Sequence, residues 1–133
     1  MSDPRFPLPD FGPATAESIR TAIAYAAATS DVPEGTPEEF AATVVRLGIT
    51  GTRFHPRDCA GARLLRAAFP HADVAVGTDV IFDDSQGVRR SVAAPEVFAR
   101  FRLNFDTQAE SSPLYAAAWN GRSYGDDTPD DEF

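Results

Sequence analysis

The chain has 133 residues, the size of one ordinary domain, and its 12 basic and 20 acidic residues give a formal net charge of −8. Hydrophobic residues make up 43% of it, including ten phenylalanines, which excludes a wholly disordered protein. A single cysteine, Cys59, excludes a disulfide scaffold, and no run approaches the roughly 20 apolar residues of a membrane span. Because we also find no secretory signal pattern, we expect a cytoplasmic protein.

The negative charge is concentrated at the C-terminal end. Residues 121–133 hold one arginine and five acidic residues, a net charge of −4 and half of the total. This segment has too few apolar groups to offset the entropy lost on ordering, so it is predicted to be a disordered, solubilising tail. A docking peptide anchored by Phe133 is the alternative. The predicted domain, residues 14–120, then carries only −3, from ten arginines and thirteen acidic residues.

The N-terminal arm, residues 1–13, alternates prolines with apolar residues. Proline fixes φ and lacks an amide donor, so the arm is predicted to be extended rather than helical. We expect Phe6, Leu8 and Phe11 to pack along the domain. A proline-rich ligand for another protein's aromatic groove is the alternative.

The first helix is predicted over residues 16–29. Thr15 precedes it and supplies the side-chain oxygen that caps a helix N-terminus. From Ile19, apolar residues recur at positions i, i+3, i+4, i+7 and i+8, which gives one narrow face made largely of alanine.

The second helix has the clearest local pattern in the chain. Thr36 and Glu39 form a capping box, and Pro37 occupies the first helical position. Gly48 tolerates the positive φ at which helices end, so the helix is predicted over residues 37–47.

A third helix follows a short strand or connector at residues 49–54. Asp58 is predicted to cap this helix, because a carboxylate accepts hydrogen bonds from the free amides of the first turn. The helix spans residues 59–69 in this prediction, and Pro70 then stops it.

Alternating valines predict a strand over residues 74–82, with a bulge or short turn at residues 77–78. Residues 83–87 are rich in aspartate and end in glycine, which is typical of a turn. Residues 88–92 are then predicted to return as the partner strand.

A fourth helix opens with Pro95 at its first position, and Phe98, Phe101 and Phe105 line its buried side. Ser112 and Pro113 are predicted to open a last short helix. The expected fold is therefore a small single α+β domain with three helices, then a β-hairpin, then one or two helices.

Cys59 and His55 are the weak candidates for catalysis. A cysteine in the first turn of a helix meets unpaired amides and the positive end of the dipole, which lower a thiol's pKa. His55 lies four residues earlier and Arg57 adds positive charge, as a thiol-dependent enzyme requires. The spacing matches no known nucleophile motif, and free cysteine is usually buried, so a structural role is the preferred interpretation.

Metal and cofactor sites are not expected. The imidazole and thiol ligands are His55, Cys59 and His71, without the paired short spacings of a zinc site. Asp79, Asp83 and their neighbours lack the order of a calcium loop, and the chain has neither a glycine-rich phosphate loop nor a lysine.

An arginine-rich surface makes DNA binding an alternative function. Three helices followed by a hairpin is the order of a winged helix, with the hairpin as the wing. The candidate phosphate contacts are Arg57, Arg63, Arg66, Arg89 and Arg90. The long connection between the second and third helices and the negative net charge both weigh against this reading, so a nucleic-acid partner is not expected.

Three short motifs lie between residues 54 and 106: D-C-A-G-A-R-L-L at 58–65, V-A-V-G at 74–77 and F-R-L-N-F-D at 101–106. Together they resemble the D-C-P-[IL]-A-x-Y-L-type helix start, V-x-V-G strand and F-x-x-x-F-D segment of an uncharacterised family of small actinobacterial proteins. Ala60 replaces that family's proline, and Leu64 replaces its aromatic residue. The resemblance implies no catalytic residue; it implies a cap and a packed thiol at the start of a helix.

The preferred function from sequence is a non-enzymatic regulatory or accessory component that binds another protein. The absence of a recognisable catalytic pattern, the acidic tail and the Pro/Phe-rich arm favour it. The expected contact residues are Phe6 and Phe11 in the arm, and Tyr115 and Trp119 near the last helix. A membrane is not expected as a partner.

Overall fold

The computed structural model describes residues 8–28, 32, 35–70 and 72–123. These residues form one small α+β domain, as expected. The helices and strands follow in chain order as α1 (Ala16–Ala27), α2 (Pro37–Arg46), β1 (Gly51–Arg53), α3 (Ala60–Ala68), β2 (Val74–Val76), β3 (Asp79–Asp83), β4 (Arg89–Ala93), α4 (Glu96–Gln108), α5 (Pro113–Ala117) and β5 (Trp119–Ser123).

Thr15 and Thr36 are the N-caps of the first two helices, as the sequence predicts. Thr15 Oγ1 accepts the Ser18 amide at 3.0 Å, and Ser18 Oγ accepts the Thr15 amide at 2.8 Å. In α2, Thr36 Oγ1 accepts the Glu39 amide at 3.0 Å. Gly48 has φ +73°, so α2 stops where a glycine permits the left-handed conformation. Both helices begin at the predicted residue because their caps are local.

The start of α3 differs from the prediction. The N-cap is Cys59, whose Sγ accepts the Ala62 amide at 3.4 Å. Asp58 lies one residue earlier, and its carboxylate instead contacts Arg66 Nη2 at 3.2 Å. The ion pair therefore draws the aspartate away from the helix end. Pro95 likewise caps α4 with extended backbone rather than occupying the first helical position.

The predicted hairpin is a three-stranded antiparallel sheet. Residues 77–78 form a turn that reverses the chain, so the predicted strand over 74–82 divides into β2 and β3. Val80 pairs with Val92 of β4, and these side chains face the helices. β4 therefore completes a sheet with order β2-β3-β4.

A second, two-stranded sheet joins distant parts of the chain. β1 pairs in parallel with β5, with Gly51 opposite Trp119 and Arg53 opposite Ser123. β1 lies within residues 49–54, where a short strand or connector is expected, whereas β5 is not predicted, so the element order differs from the prediction at its C-terminal end. β5 also carries the folded domain to Ser123, three residues beyond the predicted boundary at residue 120.

The core is built around phenylalanine. The rings of Phe40 on α2 and Phe101 on α4 lie 4.6 Å apart between centroids, and Phe98 stands edge-on to Phe40 at 5.3 Å. In the arm, Phe11 contacts Tyr25 and Phe69, and Leu8 is also partly buried, so these two residues pack against the domain as expected. No helix within the described ranges has the length and apolar character needed to cross a membrane.

Candidate functional site

The backbone at Phe54, directly after β1, is in a conformation that phenylalanine rarely adopts. Its φ is +63°, and no other described residue apart from glycine has positive φ. The Phe54 amide donates a 2.8 Å hydrogen bond to Asp106 Oδ1 on α4, which holds the residue there. The residue is 52% exposed, so a large apolar side chain is presented to solvent by a strained backbone.

The guanidinium group of Arg53 lies over this aromatic ring. Its guanidinium carbon lies 5.3 Å from the centroid of Phe54 and 4.8 Å from that of Trp119, so it lies between two aromatic side chains. Nε donates to Ser123 Oγ at 2.9 Å, and the terminal nitrogens reach the Asp106 carbonyl and the Glu110 carboxylate, each at 3.3 Å. Only 14% of the Arg53 side chain is exposed, so it is a fixed platform.

Leu103 is a further exposed apolar side chain on α4; it is 60% exposed and lies three residues before Asp106, the partner of Phe54. We call the surface formed by Arg53, Phe54 and Trp119 the Phe54 patch. Trp119 is partly buried, and its indole Nε1 donates to the Arg122 carbonyl at 2.7 Å.

Of the contact residues expected from sequence, Trp119 belongs to the Phe54 patch. Tyr115 does not lie on the surface: it is 2% exposed, and its hydroxyl accepts Asn104 Nδ2 at 3.1 Å. Burial raises the pKa of Tyr115. Phe11 is partly buried against α1 and α3, and Phe6 lies outside the described residues. The expected surface is thus corrected at Tyr115.

Phe54, Arg53 and Leu103 were not identified from sequence. An arginine followed by phenylalanine after a three-residue strand carries no pattern that indicates positive φ. The conformation is imposed by Asp106, which is distant in sequence, so only the tertiary structure reveals it.

The geometry around Cys59 does not form a nucleophile–base pair with His55. His55 Nδ1 accepts the amides of Arg57 and Asp58 at 3.2 and 3.1 Å, which makes the imidazole part of the turn before α3. Its Nε2 lies 3.7 Å from Asp58 Oδ2. Cys59 is 3% exposed, and burial raises the pKa of its thiol, opposite to the direction expected from its place at a helix start.

Each of the five candidate DNA-binding arginines lies beside an aspartate. Arg57 Nη1 contacts Asp73 at 2.6 Å, and Asp73 also lies 3.7 Å from Arg89. Hydrogen bonding from Arg57 lowers the pKa of Asp73, as in an ion pair. The remaining pairs are Arg63 and Arg66 with Asp58, Arg89 with Asp83, and Arg90 with Asp84. Each arginine of this surface therefore has an acidic neighbour that offsets part of its charge, which weakens its attraction for a phosphate backbone.

Asp84, directly after β3, stabilises the turn between β3 and β4. Asp84 Oδ1 accepts the amides of Gln86 and Val88, each at 2.9 Å. In the part of the chain that the structure describes, no group of three or more His, Cys, Asp or Glu side chains could hold a metal ion. His71 lies outside that part.

Comparisons with known proteins supply no relative. No family model matches the chain, and neither the curated proteins nor the solved structures contain a match.

Proposed function

We propose that this chain is a non-enzymatic protein-binding component and that the Phe54 patch contacts its partner. The observation that carries the proposal is Phe54 itself, a 52%-exposed ring on a backbone at φ +63°. A glycine would adopt this φ without strain, so the ring is present at a cost in backbone energy. Binding of the exposed part of the ring to an apolar pocket on another protein would offset that cost.

The composition and rigidity of the patch support the same function. Aromatic side chains and arginine are enriched among residues that dominate protein–protein binding energy. Arg53 is held by three hydrogen bonds, so the rings it contacts are already ordered before a partner arrives. Such order reduces the entropy lost on association.

The two other functions considered have less support. A thiol-dependent enzyme needs an accessible thiolate, whereas Cys59 is 3% exposed with a raised pKa. A DNA-binding regulator needs a cationic face, whereas Arg57, Arg66 and Arg89 each contact an aspartate.

Paired variants at residue 54 test the proposal. Phe54→Ala removes the ring and keeps the strained backbone; Phe54→Gly removes both. The control, Val88→Ala, shortens a different exposed apolar side chain, which is 46% exposed. Tagged proteins would be used to capture partners from a lysate of the source organism, and the captured protein would then be titrated with each variant.

We expect both Phe54 variants to weaken partner binding by about tenfold or more, the usual effect of truncating a dominant contact residue, while Val88→Ala binds like the wild type. Phe54→Gly is expected to melt no lower than Phe54→Ala, because glycine relieves the backbone strain. Equal binding by wild type and both Phe54 variants would refute the role of the patch. A monomeric chain that captures nothing would refute protein binding.

A further inference from the structure

A small cleft lies beneath Phe54, between the loop after β1, the start of α3, and α4. Its volume is about 210 Å³. Phe54, Pro56 and Val76 give it apolar walls, and Arg102 and Asp106 give it a polar end. A water molecule takes about 30 Å³ of liquid volume, so the cleft has room for a ligand of roughly six or seven heavy atoms.

Arg102 lies at the polar end of the cleft, and its guanidinium makes no hydrogen bond to any described residue. Its Nε is buried without a partner, as is that of Arg63, so the terminal nitrogens are the part of the guanidinium that a ligand can reach. Nη1 lies 3.8 Å from Asp106 Oδ2, which is beyond hydrogen-bonding distance. The side chain is 36% exposed, so water does not fully solvate this charge. An oxyanion ligand in the cleft would supply an acceptor for the terminal nitrogens.

Asp106 is the second polar group of the cleft. Its side chain is 8% exposed; Oδ1 accepts the Phe54 amide, and Oδ2 has the 3.8 Å contact with Arg102. Burial raises the pKa of Asp106, against the opposing effects of the Phe54 amide, Arg102 and Arg53. Cys59 and His55 are the other titratable side chains lining the cleft.

We propose that this cleft binds a small aliphatic monocarboxylate, whose carboxylate accepts hydrogen bonds from the Arg102 guanidinium and the Asp106 carboxyl group. The alkyl end of the ligand lies against Pro56, Val76 and the underside of Phe54. One cation and one carboxyl donor match a single negative charge. A phosphate group, with up to two charges, would need further cations that the cleft does not supply.

The proposal implies a direction of pH dependence. An ionised Asp106 repels an anion and accepts hydrogen bonds only, whereas protonated Asp106 donates one. Affinity for the carboxylate should therefore rise as the pH falls through the pKa of Asp106, and binding should take up a proton.

Thermal unfolding of the full chain tests the proposal, because a ligand that binds the folded state raises Tm. The probes are sodium acetate, propionate and butyrate, each compared with sodium chloride at equal ionic strength, at weakly acidic and at neutral pH. Butylammonium chloride controls for the alkyl chain alone. We expect the carboxylates to raise Tm above the chloride reference, propionate and butyrate more than acetate, and all three more at the lower pH.

Three variants assign the effect to the cleft. Arg102→Gln should weaken binding by about tenfold or more, through the loss of charge-assisted hydrogen bonds. Asp106→Asn should keep binding and lose its pH dependence, since the amide can donate to the ligand at every pH. Arg100→Gln, one turn from the start of the same helix and paired with Glu96, should bind like the wild type.

A carboxylate effect no larger than that of chloride would overturn the proposal, as would an undiminished effect in Arg102→Gln. Should Arg102→Gln fail to fold, Asp106→Asn decides alone: a pH dependence identical to that of the wild type would refute the site. These outcomes are independent of protein binding by the Phe54 patch, because the probes are small molecules and neither substitution removes the ring of Phe54.

Discussion

At the scale of single residues, Asp106 connects α4 to the loop that carries the candidate site. Its Oδ1 holds the Phe54 amide at 2.8 Å, and its backbone carbonyl accepts Arg53 Nη1 at 3.3 Å. The Phe54 amide lies in a loop outside regular secondary structure, and the buried carboxylate of Asp106 supplies its hydrogen-bond acceptor. Burial also disfavours the charged form of Asp106. The residue therefore holds the loop in place, but its ionisation lowers the stability of the folded protein.

The substitution Asp106→Asn, which replaces the carboxyl group by an amide, tests whether burial of this charge lowers stability. Because burial raises the pKa of Asp106, the folded protein holds this proton more tightly than the unfolded chain does. The resulting stability is complete below the ordinary aspartate pKa, about 4, and is lost as the pH rises through the raised pKa. Asp106→Asn stays neutral, and its Oδ1 can still accept the Phe54 amide. We expect it to be more stable than the wild type at neutral pH.

Urea unfolding of both proteins at a series of pH values would measure this difference. As the pH rises from about 4 towards neutral, the free energy of unfolding of the wild type should fall more steeply than that of the variant. A variant that is less stable than the wild type at neutral pH would mean that attraction from Arg53 and Arg102 outweighs the burial of the charge.

At the scale of elements, the three-residue strand β1 sets the position of the site. Its Gly51 amide donates to the Ala118 carbonyl at 2.9 Å, and the Thr52 amide donates to the Asp58 carbonyl at 2.8 Å. β1 therefore lies between β5 on one side and the turn before α3 on the other. The chain approaches α3 so closely that a Cβ on Gly51 would lie 2.2 Å from the Ala60 nitrogen.

Gly51→Ala is expected to be strongly destabilising. The atoms that the new methyl group would meet belong to the backbone at Cys59 and Ala60, which cannot move aside without shifting α3. We expect a loss of about 2–4 kcal/mol in the free energy of unfolding, typical of overpacking at a rigid contact. Gly77→Ala is the matched control, because a Cβ there meets only Asp79 O, at 4.0 Å.

Thermal melting of these two variants and the wild type provides the measurement. Gly77→Ala should melt close to the wild type. A Gly51→Ala protein that melts as high as the control would show that β1 can move away from α3, and the fixed position of Phe54 would lose its basis.

At the scale of the whole molecule, half of the net negative charge lies in residues 121–133. Residues 124–133 contain five acidic residues and no arginine, and lie outside the described part. Residues 121–123, which the sequence assigns to the same acidic tail, belong to β5, where Ser123 Oγ accepts Arg53 Nε. The described domain therefore extends past the predicted boundary at residue 120, at least to Ser123.

Two truncations test this boundary. Deleting residues 124–133 should leave Tm within about 1 °C of the wild type, because this segment has little apolar surface to bury. Deleting residues 121–133 should lower Tm by several degrees, because it removes part of β5 and the Ser123 acceptor of Arg53. Melting curves of both deletions against the full chain would decide; equal melting by all three would return the boundary to residue 120.

The sequence by itself determined the features that depend on neighbouring residues. Thr15 and Thr36 cap their helices because a cap needs only the amides two or three positions ahead. The phenylalanines of α4 face the core because helical periodicity places them on one side. The α+β class follows from such local patterns.

Only the tertiary structure decided the features that depend on distant partners. Tyr115 is buried rather than exposed because α4 supplies Asn104 for its hydroxyl group. The charge of the candidate arginine surface is partly offset because the fold brings Asp73 within ion-pair distance of Arg57 and Arg89. Phe54 is exposed and strained because Asp106, 52 residues later, holds its amide. Hydrogen bonds and ion pairs between residues so far apart in sequence depend on tertiary packing, which local sequence patterns do not predict. The candidate site can therefore be identified only in the folded structure.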